Sequence, residues 1–432
     1  MPQRDEVSVS IVTMGCAKNE VDSARMSERL DAAGYRMCED PGQADAVIVN
    51  TCSFIQAATE ESLQAIFDAC DLPKVAAGNA TVVVAGCMPA RYGDDLAESL
   101  DEVKTFVPCG REDDIAAVLD SLFPSRAVGR GRKGEPSIKP SAYVKISDGC
   151  DRFCSYCAIP YIRGRYHSFT RDRIRGDVAA AVDGGAREIV LIAQDTGRWG
   201  EDFDEPSTLA QLMDGLAEEY PSTRFRVMYL QPEGVTDELL DAMSRRGNIC
   251  AYLDIPFQHC QEDILRAMNR SGSFESYVRL VERVRERVPG ITLRTTFITG
   301  FPGETDEDFD RLRAFADEID FDYVGVFPYS QEEGTRAAEL PGQIDQDTRE
   351  RRAQELRDRA DAISRLRMEK RIGQDMDVLV LGHEEDGRLY GRAECQAPDV
   401  DGVTYLDGGE PGAIVRARIT DTLLYEMEGE VE

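Results

Sequence analysis

Up to residue 123, short β-branched runs alternate with amphipathic stretches, the pattern of a doubly wound parallel sheet. Val7–Met14, Ala46–Asn50, Thr81–Ala85 and Thr105–Val107 read as strands, and each leads almost at once into a cysteine: Cys16, Cys52, Cys87 and Cys109. Between them, Asp22–Ala33, with Ala24, Met26 and Leu30 on or near one face, and Glu60–Ala69 read as helices. The carboxyl ends of the strands form the ligand-binding edge of an open α/β sheet. Cysteines far apart in sequence are thereby predicted on one rim.

Residues 124–140 shift to Pro, Gly, Ser and basic side chains and read as a linker. Beyond it Tyr143–Ser147, Glu188–Ala193, Phe225–Leu230, Tyr252–Pro256, Leu293–Thr299 and Tyr323–Phe327 read as strands, with room between them for right-handed βα crossovers. Six such units predict a partial (β/α)6 barrel. Polar or glycine-rich segments follow several of them, including Asp148-Gly149-Cys150, Gln194-Asp195 and Gln258-His259, on the rim where barrel chemistry sits. Asp347–Ile372 reads as one long charged helix packing through Ala353, Leu356, Ala360, Ile363 and Leu366. From Gly373 onward, short β runs (Asp377–Leu381, Gly402–Leu406, Ala413–Ile419) between glycine turns predict a small β-barrel. The predicted class is α/β, in three domains: 1–123, 141–372 and 373–432.

At 42% apolar residues the chain has ample material for packed cores, which excludes disorder for most of its length. It contains no run approaching a membrane helix and no apolar leader, so a soluble, cytoplasmic protein is expected, with no membrane partner. Twelve cysteines in such a chain are more often metal ligands or redox groups than disulfide partners. The formal charge of −31 is unevenly spread: 22 acids against 9 bases up to residue 123, 44 against 37 in 124–372, and 15 against 4 thereafter. A nucleic-acid-binding barrel needs cations to displace counterions. This one offers Arg388, Arg392, Arg416 and Arg418. A uniformly acidic, salt-adapted surface would not concentrate its charge in this way.

Cys150, Cys154 and Cys157 are separated by three and two residues and follow the first barrel strand directly. Three thiolates on a tight loop can hold three irons of a 4Fe–4S cube, with the fourth open to an outside ligand. A structural zinc site asks for four protein ligands, and apart from His167 no further Cys or His lies nearby. The motif, with the aromatic Tyr156 before its last cysteine, resembles that of radical S-adenosylmethionine enzymes, with which the six-unit barrel agrees. The resemblance implies that the open iron chelates S-adenosyl-L-methionine, which is cleaved to a 5′-deoxyadenosyl radical, and that Tyr156 and Gln194 belong to the cofactor's surroundings. For Gln194 a solvated loop amide is the competing reading.

Cys16, Cys52 and Cys87 form a second constellation at three strand ends. Together with Gly-Cys-Ala-Lys-Asn-Glu-Val-Asp-Ser (15–23) and Val-Asn-Thr-Cys-Ser-Phe (49–54) they resemble the N-terminal domain of methylthiotransferases, and the resemblance continues through the barrel to a TRAM-like terminal domain. It implies a second 4Fe–4S cluster on these three residues, whose open iron takes sulfide or a methylthio group. Cys109 competes as a ligand. The remaining cysteines, Cys38, Cys70, Cys250, Cys260 and Cys395, have no ligand-like spacing.

Of the two main branches of that family, segments 15–23, 157–164, 192–196 and 324–335 resemble the one that methylthiolates the β-carbon of an aspartate in the twelfth protein of the small ribosomal subunit. Two 4Fe–4S clusters, two S-adenosylmethionine molecules, an electron-donor protein and a basic ribosomal protein, free or within the ribosome, are the implied cofactors and partners. An acidic terminal barrel suits that substrate and repels tRNA. The alternatives are a tRNA adenosine methylthiotransferase and, among non-enzymes, an iron–sulfur electron carrier or an RNA-binding module.

Overall fold

The computed structural model describes residues 6–124 and 139–432. Most of the expected linker, 124–140, therefore lies outside the described residues. The chain forms two compact units. One comprises 6–124 with Gly149–Asp151 and Cys157–Tyr166, the other 139–148, Arg152–Tyr156 and His167–Glu432.

In the first unit β1 (Ser8–Thr13), β2 (Arg36–Met37), β3 (Ala46–Thr51), β4 (Thr81–Gly86) and β5 (Phe106–Pro108) form a parallel sheet in the order β2-β1-β3-β4-β5. β3 is buried along its whole length, as a strand covered on both faces must be. Val47 and Val49 join Val82, Val84 and Leu96 on one side, and Ile48 joins Val9, Met26 and Leu30 on the other. Four strands lie where the apolar runs place them. β2 is a two-residue edge strand, too short for alternation to register. Helix α1 (Ala17–Ala32) begins directly after Cys16 rather than at Asp22. Ala24, expected on its packed face, is exposed, and Asp22 and Ser23 are buried in its place.

The second unit carries all six expected barrel strands: β6 (Ser141–Lys145), β7 (Glu188–Ile192), β8 (Arg224–Val227), β9 (Tyr252–Asp254), β10 (Thr292–Thr299) and β11 (Tyr323–Pro328). They run parallel in chain order, with β6-β7-β8 and β9-β10-β11 continuously paired. Three backbone bonds carry the seam: Phe225 N to Asn248 O (2.8 Å), Cys250 N to Phe225 O (2.8 Å) and Leu230 N to Asp254 O (3.0 Å). The long helix Gln346–Glu369 buries Ala353, Leu356, Ala360, Ser364 and Met368. Leu366, expected in that stripe, is 59% exposed. A 3.6-residue repeat continued from Ala360 reaches positions 364 and 368 instead.

The end of the chain is a closed five-stranded barrel of β12 (Asp375–His383), β13 (Leu389–Ala393), β14 (Thr404–Leu406), β15 (Ile414–Thr422) and β16 (Met427–Val431), in the order β12-β13-β14-β16-β15. β13 and β16 escape the hydrophobic pattern because buried glycines, Gly391 and Gly429, stand where alternation would show an apolar side chain. Among the described residues no helix is long and apolar enough to cross a membrane.

Within the second unit this small barrel is bolted to the amino-terminal edge of β7 and β8 by buried charge. Glu188, the first residue of β7, accepts Arg392 Nη2 (2.6 Å) and Nε (2.8 Å) from β13 and Arg226 Nη2 (3.1 Å) from β8. Burial works against the carboxylate, yet Arg392, Arg226 and Arg224 hold it down at about 2. Arg224 donates to the carbonyls of Arg392 (3.3 Å) and Asp377 (3.1 Å). Nearby, Asp401 is buried against the Tyr252 hydroxyl, Ala397 N (2.8 Å) and Arg294 Nε (3.3 Å). Here burial prevails over Arg294 and lifts the carboxyl to about 6.

Two outcomes follow from these opposite shifts. Glu188→Gln leaves two buried guanidiniums short of counter-charge and should cost on the order of 3–5 kcal/mol in denaturant unfolding. Asp401 retains its proton in the fold at pH values where the unfolded chain has lost it, so its contribution to stability falls as pH rises from about 4 to about 6. Asp401→Asn should flatten that slope, measured as the difference in unfolding midpoint between variant and parent across the window.

Candidate active site

In the first unit, the turns after β1, β3 and β4 each carry one cysteine. Cys16 stands at the start of α1, Cys52 follows β3, and Cys87 opens the helix Cys87–Ser99. Glycines allow these turns to crowd together. Gly86 has φ +93°, and a β-carbon there would lie 2.3 Å from Asn50 Oδ1 and 2.6 Å from Thr51 O. At Gly15, φ +92°, a β-carbon would come within 2.4 Å of Cys52 Cβ and 2.9 Å of its Sγ.

Asn19, wholly buried, ties the three turns to one another. Its Nδ2 donates to the carbonyl of Thr51 (2.8 Å), immediately before Cys52, while its Oδ1 lies 3.8 Å from Cys16 Sγ and 3.9 Å from Cys87 Sγ. Arg163 reaches the same point: Nη2 is 3.0 Å from Asn19 Oδ1, 3.0 Å from Asp22 Oδ2 and 3.9 Å from Cys87 Sγ. Cys109 N donates to Gly86 O (2.9 Å), and the Cys109 thiol bonds to Ile162 O (3.3 Å) as well as to Cys87.

The surroundings treat the thiols differently. Burial pushes Cys52 up to about 11, and the neighbouring sulfurs of Cys87 and Cys16 add to the effect. Cys87 is drawn down to about 7, first by its hydrogen bond with Cys109 and then by the Arg163 guanidinium, against burial and Asp22. Among the described residues no three Cys, His, Asp or Glu side chains close on a point where one metal ion would be gripped. Three thiols in adjacent turns around one shared amide are a donor set that fits an iron–sulfur group with one open iron.

Cys150, Cys154 and Cys157 lie on the loop after β6, all three partly exposed. In the first unit Cys150 N donates to Gly164 O (3.2 Å). In the second, Phe153 turns the loop at φ +47°, Asn269 Nδ2 donates to the carbonyls of Arg152 (2.9 Å) and Phe153 (3.1 Å), and Ser155 N donates to Met268 O (2.9 Å). Tyr156 packs on the barrel core. Arg270 is half-buried; burial opposes its charge, and Tyr156 and Cys154 lead the groups that support it.

Along the carboxyl rim of the same barrel, buried polar atoms stand without hydrogen bonds among the described residues. They include both side-chain amide atoms of Gln194, Asp195 Oδ1, Ser147 Oγ, Gln231 Oε1 and the Tyr329 hydroxyl. Interiors rarely leave such groups unpaired. Set at the ends of β6, β7, β8 and β11, they are the groups a polar ligand at the barrel mouth would satisfy. Gln194 is thus a buried amide rather than a solvated one.

His259 has a structural setting, with Nδ1 accepting Gln261 N (3.0 Å) and Nε2 facing Glu304 at 3.5 Å. Burial raises the Cys250 and Cys260 thiols to about 12 and Cys395 in the same direction, as expected of inert core thiols. Asn19, Asp22, Arg163 and Arg270 were not singled out as site residues from sequence. The first three lie inside the segments 15–23 and 157–164 that carry the resemblance, so the signal was present. Arg270 had none, since an arginine between two loops has no readable partner.

Three family models match the chain: the radical SAM superfamily over residues 144–316, the uncharacterized protein family UPF0004 over 8–108 and the TRAM domain over 372–431. A ribosomal protein uS12 methylthiotransferase RimO from Syntrophus aciditrophicus (strain SB) is 41% identical, covering 99% of this chain and 98% of the relative. Its counterpart from Geobacter sulfurreducens is 40% identical over 98% of each. Among solved structures, the radical S-adenosylmethionine methyltransferase TsrM from Kitasatospora setae, with cobalamin and a [4Fe–4S] cluster bound, aligns with a TM-score of 0.55 at 16% identity, over 76% of this chain and 77% of that one. The cobalamin-dependent S-adenosylmethionine radical enzyme OxsB aligns at 0.53 and 12%, over 83% and 56%. At those identities the likeness is one of fold.

The crowding at Gly86 gives a direct check on the cysteine turns. Gly86→Ala combines a backbone conformation that L side chains resist with a collision against Asn50 and Thr51, and should cost on the order of 3 kcal/mol. Thermal unfolding of the cluster-free chain would measure it.

Proposed function

The chain belongs to the RimO family of ribosomal protein uS12 methylthiotransferases, and from that premise we propose that it methylthiolates the β-carbon of an aspartate of uS12. The observation that carries the reading is the gathering of Cys16, Cys52 and Cys87 around Asn19 in a chain that also presents Cys150, Cys154 and Cys157 after its first barrel strand. In this reading each set holds one 4Fe–4S cluster. Cys109 is read as a neighbour of the set rather than a member: its thiol bonds to Ile162 O and to Cys87, and Asn19 contacts the turns of the other three. We assign the cluster-bearing sheet to 1–123, the radical barrel to 141–372 and the TRAM-like barrel to 373–432.

When bound, the clusters and S-adenosyl-L-methionine supply the radical and sulfur chemistry that turns a C–H bond into a C–S bond. The chain's own residues hold and orient. The unpaired amide of Gln194 and the packed ring of Tyr156 would line the S-adenosylmethionine site, and the Arg152–Asp195 and Arg152–Glu233 ion pairs fix the cysteine loop against the barrel rim. Carrying both cysteine sets on one chain keeps a short-lived radical and its sulfur partner at high effective concentration.

The substrate is a basic protein in this reading, met in the cytoplasm, where ribosomes are, and an electron-donor protein supplies reducing equivalents. All four arginines of the terminal barrel are ion-paired: Arg388 with Glu428, Arg392 with Glu188, Arg416 with Asp377 and Arg418 with Asp375. That disposition supports a protein substrate over tRNA, whose phosphates would have to compete for each cation.

Anaerobic incubation with reductant, S-adenosylmethionine and uS12, followed by peptide mass mapping, tests the proposal. One aspartate peptide should gain a methylthio group in place of hydrogen; a modified adenosine in tRNA instead would overturn the substrate. Replacing Cys150, Cys154 and Cys157 by alanine should remove roughly four iron atoms per chain and stop 5′-deoxyadenosine formation. Replacing Cys16, Cys52 and Cys87 should remove the same amount of iron and abolish methylthiolation while cofactor cleavage persists. Unchanged iron in either variant would sink that ligand assignment.

A further inference from the structure

We propose that Arg163 is a positioning residue for the cluster at Cys16, Cys52 and Cys87: its guanidinium, aimed by Asp22 and Asn19, faces the Cys87 sulfur and raises the reduction potential of the group bound there. The inference rests on reading those three cysteines as cluster ligands.

The Arg163 and Asp22 side chains are 3% and 4% exposed. A buried ion pair is an expensive way to hold a fold, since apolar residues of similar volume often stabilise as well or better. Its placement here is specific. A single nitrogen, Nη2, serves Asn19 Oδ1, Asp22 Oδ2 and Cys87 Sγ. Asn19 Oδ1 in turn touches both Cys16 and Cys87, so the cation sits at the node of the network that sets the three turns. The segment that brings it is anchored beside that node, because Ala158 and Ile162 pack on Cys87.

A cluster on three thiolates is anionic and becomes more so on reduction. A cation and an N–H donor at a ligand sulfur therefore favour the reduced form, whereas a carboxylate favours the oxidised one. Of the two charges, the Arg163 guanidinium is the one that faces the Cys87 sulfur, at 3.9 Å. Losing the arginine should move the potential down, and losing the carboxylate should move it up. A residue that merely supports the fold would give no such opposition of sign.

The experiment uses the full chain carrying C150A, C154A and C157A, so that only one cluster remains, with the potential read by redox titration of its paramagnetic signal. Relative to that parent, R163Q should shift the midpoint to a more negative value, R163K should recover most of the loss, and D22N should shift it to a more positive value. An R163Q protein with full iron and an unmoved midpoint overturns the inference. If R163Q does not hold its cluster, D22N decides, and an unmoved or lowered midpoint in D22N overturns it equally. A parent that binds no iron would instead overturn the ligand assignment on which the inference rests.

Discussion

Successive parallel strands must be joined by crossovers, and crossovers bring the loop after every strand to the same edge of the sheet. That constraint operates twice in this chain. In the first sheet it takes Cys16, Cys52 and Cys87, far apart in sequence, and sets them in adjacent turns after β1, β3 and β4. In the barrel it places Ser147 Oγ, the Gln194 amide, Asp195 Oδ1, Gln231 Oε1 and the Tyr329 hydroxyl around one rim, buried and without hydrogen bonds among the described residues. Neither arrangement needs a long-range specification of its own. Once the β-branched runs fold as parallel strands, the chemistry is sorted to the carboxyl edge, and only close approach remains to be arranged, which Gly15 and Gly86 permit.

The opposite, amino-terminal edge of the barrel serves attachment. Glu188 is the pivot: one carboxylate meets Arg226 of the same sheet and Arg392 of the terminal barrel, with the Glu188 and Arg226 side chains fully buried. Tyr143 with Asp399 and Tyr425 with Asp361 extend the contact. Because the seam is charged rather than apolar, a misplaced docking would strand buried ions, so the interaction selects one register. It also removes Arg392 from any other use. Of the four arginines of that domain, Arg388, Arg416 and Arg418 remain at the surface, each beside a carboxylate.

Most of the fold was legible because it rests on periodicity. All six barrel strands and four of the five strands of the first sheet follow from β-branched runs, and their order follows from chain connectivity. What escaped has local causes. Arg36–Met37 is too short to alternate, Gly391 and Gly429 interrupt the pattern of β13 and β16, and Leu366 falls off a stripe that the true helical repeat carries to Ser364 and Met368. At the site, cysteine spacing marks the turns but not what holds them together. Asn19 and Asp22 look like ordinary polar residues of an exposed helix face, and nothing in a linear pattern says that an arginine far along the chain will bury itself against them. Ala24, small and apolar, was the more natural candidate for the packed face, and tertiary charge pairing displaced it.

The path of the chain between Cys157 and Arg163 has a consequence for how the two cysteine sets depend on one another. Cys157 ends one set, and the short helix that follows, Ile159–Ile162, buries Ile162 beside Cys87 of the other before delivering the Arg163 guanidinium to Asn19. A helix of one turn has almost no intrinsic stability, so its position is set by what fixes its ends. One end continues from Cys157 and the other is held by the ion pair of Arg163 with Asp22. Six residues of backbone thus join Cys157 to the cation that faces the Cys87 sulfur, so one short segment carries both the last cysteine of the loop and the charge beside a cysteine of the sheet.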